Sequence, residues 1–111
     1  MDRALGVVQA QGSVELPLPF EGSLKKKRGL IWQTRKCRLT KLGLEYQGWM
    51  GRKTKRIDID DMAAVMDDPD RDDAFGVDCI SDNKVYWFRS VDGSADMVKM
   101  WKNGLVQLLM P

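Results

Sequence analysis

The hydrophobic period of this chain changes once, at Val91-Asp92-Gly93. Upstream, apolar residues recur at every second position in short runs separated by turn formers; downstream they recur at every third or fourth. Such a chain can bury its apolar side chains only as several short strands closed by one helix. The runs are Glu21 to Thr40, read as two strands about a loop, then a strand holding Leu44 and Tyr46, then Arg56 to Met62, Ala63 to Met66, Ala74 to Ser81 and Lys84 to Ser90. Lys41-Leu42-Gly43 and Asp82-Asn83 are turns between them. Gly48 to Thr54 is a basic, glycine-containing connection, and Asp67 to Asp73, with Pro69, is an acidic loop. Ser94 is placed to cap the helix, Asp96 favours its positive end, and Met97, Trp101, Leu105 and Leu108 form one apolar stripe. Gly104 within that helix costs about 1 kcal/mol relative to Ala, and close packing is the expected reason for it. The fold class expected is therefore mainly β: a seven-stranded antiparallel barrel or sandwich of two orthogonal sheets capped by one C-terminal α-helix.

The first two strands carry the strongest chemical signal. From Lys25 to Arg38 there are seven cations, Lys25, Lys26, Lys27, Arg28, Arg35, Lys36 and Arg38, and no acid. Between the two halves of this cluster, after Gly29, come Leu30, Ile31 and Trp32, where a hairpin tip would ordinarily be polar. Cations around an apolar tip suit an anionic membrane, since phosphates meet the charges while the apolar side chains enter the headgroup and acyl boundary. Alternation places Leu24, Lys26 and Arg28 on one face of the first strand, and Arg35, Cys37 and Leu39 on one face of the second. Adding Lys41, Arg52, Lys53, Lys55 and Arg56, residues 21 to 56 hold twelve cations against two acids, a net +10. Residues 57 to 73 hold eight acids against Arg71 alone. The formal charge of +2 thus conceals a polarised chain with one basic face.

Other classes find little support. The 111 residues suffice for one domain, with residues 1 to 19 a tail or linker ending in Leu16-Pro17-Leu18-Pro19 and residues 20 to 111 the folded unit. No apolar run approaches the roughly 20 residues of a membrane span, and the start lacks a signal-peptide pattern, so any membrane contact is expected to be peripheral. Cys37 and Cys79 fall in strand-like runs and read as reduced core residues of a cytosolic protein. Asp68, Asp70 and Asp72 imitate the opening of a calcium loop, but Asp73 stands where its glycine belongs and Cys79 where its final glutamate belongs. No metal or other cofactor is therefore expected. With no His, no phosphate-cradling glycine loop and no paired nucleophile and base, no catalytic residue is assigned.

The opening EGSLKK, the strands RKCRLT and GLEYQ, the strand pair before the helix, and the terminal helix with Trp101 together resemble a pleckstrin homology domain over Phe20 to Leu109. The resemblance implies a seven-stranded barrel that often recruits a host protein to phosphoinositides. Family members that bind these lipids use a first-strand Lys, a second-strand basic pair and a third-strand Tyr, which match Lys26, Arg35 and Tyr46. Gln33 stands where the first of the basic pair belongs, and Lys36 with Arg38 offers another pair that alternation turns outward. The expected headgroup-binding set is Lys26, Arg35 and Tyr46 with Lys25, Lys27, Arg28, Lys36, Arg38, Lys53, Lys55 and Arg56. Leu30, Ile31 and Trp32 are the expected insertion tip. The function expected is a noncatalytic recruitment module at the cytosolic face of membranes, binding a phosphoinositide or a phosphomonoester lipid such as phosphatidic acid. The alternative is a protein-interaction module for a peptide or small GTPase. Nucleic acid is the weakest of the three readings, and the isolated domain is expected to be monomeric.

Overall fold

Strands form where the two-residue period runs unbroken, and the computed structural model, which describes residues 16–48 and 52–110, has seven of them among those residues. They are β1 (Phe20–Arg28), β2 (Ile31–Thr40), β3 (Gly43–Gln47), β4 (Thr54–Asp58), β5 (Met62–Asp67), β6 (Ala74–Cys79) and β7 (Lys84–Ser90), followed by α1 (Ala95–Leu109). All pairings are antiparallel, in the order β4-β3-β2-β1-β7-β6-β5. The halves expected as two sheets are joined by β1–β7 pairing over Leu24 to Lys26. The sheet bends so that Leu24, Leu39, Leu44 and Ile57 from one half share a core with Val65, Phe75, Val77 and Phe88 from the other. This mainly β architecture with one closing helix is consistent with a pleckstrin homology-like fold.

Helix α1 plugs the end of this curved sheet remote from the β1–β2 turn. Ser94 Oγ accepts the Met97 N–H at 3.2 Å, satisfying a donor that the first turn leaves orphaned. Trp101 is wholly buried. Its ring meets Phe20 edge-on at 4.7 Å, and a Cβ on Gly22 would come within 3.2 Å of its Cζ2. The opening strand is thus shaped to the Trp ring. Gly104 has the close-packing role expected of it, since a Cβ there would lie 2.6 Å from Leu39 Cδ2 and 2.7 Å from Leu16 Cδ2.

Three expectations shift. The alternation from Arg56 to Met62 does not make one strand: Ile59 donates to the Leu42 carbonyl at 2.9 Å, which draws Ile59–Asp61 into a 3-10 turn between β4 and β5. On the helix the buried stripe begins at Val98, while Met97 is exposed, because the face against the sheet runs through Val98, Trp101 and Leu105, one position round the helix from Met97. Packing also begins before Phe20: Leu16 and Leu18 rest against the core, and the Leu16 N–H donates to Gln107 Oε1 at 2.8 Å. The rest of the expected tail, residues 1–15, and Trp49 lie outside the described residues. Both cysteines are free and buried, and burial pushes the Cys37 thiol up to about 12 and that of Cys79 to about 11.

Trp101→Ala would empty the site that the helix fills, and large aromatic truncations of this kind cost about 3–5 kcal/mol. A urea unfolding series should show that loss; a midpoint within error of the parent would mean that the helix is not a structural plug.

Candidate functional site

The β1–β2 turn is a two-residue link, with Arg28 facing Ile31 across it. Gly29 takes φ +61°, a backbone that glycine adopts without cost and that such tight hairpins require at this position. Only Leu30, 95% exposed, therefore stands free at the tip. Ile31 and Trp32 already belong to β2, and alternation sends them to opposite faces. Ile31 continues the inward-facing row and is largely exposed beyond its end. Trp32 lies back on the outer face, half-buried, with Lys27 Nζ 5.7 Å and Arg89 Cζ 5.4 Å from its ring centre. The three apolar residues read together as a tip thus separate into an exposed pair and a Trp held between two cations.

On four strands the inward row changes from apolar core to polar mouth as it approaches this end. On β1 Leu24 gives way to Lys26, on β2 Cys37 to Arg35 and Gln33, on β4 Ile57 to Lys55, and on β7 Phe88 to Tyr86. On β3, Tyr46 pairs with Lys55 across to β4 and with Cys37 on β2. Lys26 faces Gln33, and Arg35 faces Leu24 two pairs deeper on the same side of the sheet, so Lys26 and Arg35 are diagonal neighbours. Arg35 is only 8% exposed, and its Nη2 donates to Gln33 Oε1 at 2.6 Å. Gln33, where the resemblance leads one to look for a cation, instead holds the guanidinium of Arg35.

Lys26 is half-buried, its ammonium 5.2 Å from the Tyr46 ring centre and 5.1 Å from that of Tyr86. The π faces offset part of its lost hydration. Burial first, then the positive charges of Arg35, Lys55 and Arg28, hold its pKa below the ordinary lysine value. No carboxylate forms an ion pair with Lys26 among the described residues. Burial also raises the Tyr46 hydroxyl, with Asp82 adding to the shift and Arg35 opposing it.

The mouth therefore gathers Lys26, Arg35, Tyr46, Lys55 and Arg28 from the expected set. Lys25 and Lys27 turn to the outer face, as do Lys36, Arg38 and Arg56, and exposed Lys53 lies in the β3–β4 connection. On that outer face Glu21, Arg38, Glu45 and Arg56 stand opposite one another across four strands with alternating charge. Arg38 meets Glu21 at 3.3 Å and Arg56 meets Asp58 at 2.5 Å. A groove of about 560 Å³ opens beside this row, lined by Ser23, Lys36, Arg38, Glu45 and Gln47 among others. Two cations, Lys36 and Arg38, and two acids, Glu21 and Glu45, line it, and Arg38 is paired with Glu21.

Two mouth residues were missed in the sequence. Tyr86 shares the parity of Phe88 on β7, a signal that alternation alone supplies. Asp82 offers none, because it reaches Tyr86 from within a turn: its Oδ2 accepts the Tyr86 hydroxyl and its Oδ1 accepts the Lys84 N–H at 3.2 Å. Asn83 completes the turn with φ +54°.

No family model and no curated protein matches the chain. Among solved structures it is similar to inner membrane complex sub-compartment protein 3 of Toxoplasma gondii, with a TM-score of 0.53 and 14% identity. The match covers 82% of this chain and 77% of that one, and it places both in the same fold.

Because an anion favours the protonated amine, the Lys26 side-chain resonance should titrate below 10.5 in the free protein and move upward when a phosphate-bearing lipid is added. A free-state midpoint at or above 10.5, measured by NMR, would contradict the crowded-mouth geometry.

Proposed function

We propose that this chain is a noncatalytic membrane-recruitment module of pleckstrin homology type, which binds the phosphate of an anionic lipid headgroup in the mouth formed by Lys26, Arg35, Tyr46 and Lys55. The observation that carries the reading is the crowding at Lys26: a half-buried ammonium beside Arg35, Lys55 and Arg28, with no carboxylate in ion-pair contact among the described residues. A phosphate entering there relieves like-charge repulsion and replaces hydration that burial removed. Lys26 serves as a point charge, and the Arg35 fork, oriented by Gln33, supplies directed donors.

Leu30 and Ile31 favour a membrane as the source of that phosphate. They project beyond the mouth, 95% and 62% exposed, on a hairpin whose outer face carries Lys25 and Lys27. Apolar side chains entering the acyl boundary and cations meeting phosphates act on the same surface, and each basic residue near an anionic leaflet contributes about 1 kcal/mol. The host protein is thereby held at the cytosolic face of a membrane without any chemical step in this domain.

Cosedimentation with phosphatidylcholine vesicles containing phosphatidic acid tests both elements. Lys26→Met should weaken binding about fivefold, the effect of losing one interfacial charge. Leu30→Ser should weaken it about tenfold, the scale set by burying a leucine side chain, while leaving stability unchanged because Leu30 makes no core contact. Parent-like pelleting by both variants would overturn the reading.

A further inference from the structure

The charge of the mouth is lopsided. The cations around Lys26 come from β1, β2 and β4, whereas the facing β6–β7 turn contributes a carboxylate, Asp82, with exposed Lys84 beside it at the start of β7. That carboxylate is fastened in place: one oxygen accepts the Tyr86 hydroxyl and the other the Lys84 N–H at 3.2 Å. The hydrogen bond to Asp82 is the foremost reason that the Tyr86 hydroxyl is held strongly protonated. Tyr86 in turn presents its ring 5.1 Å from the Lys26 ammonium. Lys26 and Asp82 thus contact one tyrosine, Lys26 at the face and Asp82 at the hydroxyl. Tyr46 lies between the two signs, with Asp82 raising its pKa and Arg35 lowering it.

We propose that Asp82 limits the charge of the ligand, so that the mouth accepts a headgroup bearing one phosphomonoester and rejects one bearing adjacent phosphates. This rests on the lipid-binding reading above. One phosphate fits between Lys26, Arg35 and Lys55, on the side away from Asp82. A second phosphate on the same inositol ring has to extend across the mouth toward the β6–β7 turn, where it meets a fixed negative charge. Gln33 reinforces the limit, since the position that could have supplied a further cation carries a neutral amide already committed to Arg35.

Asp82→Asn removes the charge with the least change of shape: the amide oxygen still accepts the Lys84 N–H, and the amide N–H donates to the Tyr86 hydroxyl oxygen in place of the bond that Asp82 accepted. Binding of the parent and the variant is measured on phosphatidylcholine vesicles carrying equal mole fractions of phosphatidic acid or of a bisphosphorylated inositol lipid. The parent should favour phosphatidic acid, and the variant should gain about two- to fourfold more on the bisphosphorylated lipid than on phosphatidic acid, a difference that shrinks in high salt. Asp82→Glu should keep the parental preference. Should the Asn variant fail to fold, Asp82→Ser, which also suits a turn, carries the same expectation. An unchanged lipid ratio in the neutral variant, with the parent still binding phosphatidic acid, overturns the role of Asp82 alone. Absence of binding by parent and variant on every vesicle overturns the lipid reading with it.

Discussion

Side-chain alternation along antiparallel strands ties the core and the mouth together. On β1, β2, β4 and β7 the inward row that supplies a core residue at depth supplies a polar residue nearer the β1–β2 turn: Leu24 then Lys26, Cys37 then Arg35, Ile57 then Lys55, Phe88 then Tyr86. A slip of one residue in any strand would invert both sets at once. The hydrophobic pressure that sets the register therefore also brings like charges together, an arrangement that folding alone would not favour.

The cost of that arrangement is reduced locally. Two tyrosine faces replace part of the hydration of Lys26, Gln33 engages Arg35, and Asp82 fixes Tyr86. The outer face is built differently. There each cation in the Glu21, Arg38, Glu45 and Arg56 row stands opposite an acid, whereas the cations around Lys26 in the mouth have no such row facing them. At the other end of the barrel, Trp101 seals the core against Gly22 and Phe20, leaving the mouth as the open pole.

Much of this is legible in the sequence. The change of period near Gly93 separates strands from helix, and parity alone places Lys26 and Arg35 on inward faces. What escapes is information held in hydrogen bonds between distant residues. Ile59 leaves its strand for the Leu42 carbonyl, and Leu16 joins the core through Gln107, neither of which any local pattern records. Leu30, Ile31 and Trp32 read as one apolar unit, yet a turn of only two residues puts Trp32 into the ladder and onto the outer face. Asp82 reads as a turn former, and its contact with Tyr86 becomes visible only once the hairpin has closed.

The central claim is that an anion belongs in the mouth and not on the outer face. Backbone amide shifts recorded during titration with a soluble short-chain phosphatidic acid test it most directly. The account predicts saturable shifts centred on Lys26, Arg35, Tyr46, Lys55 and Tyr86. Shifts confined to Lys36, Arg38 and their neighbours on the outer groove, or no saturable shift at all, would contradict it.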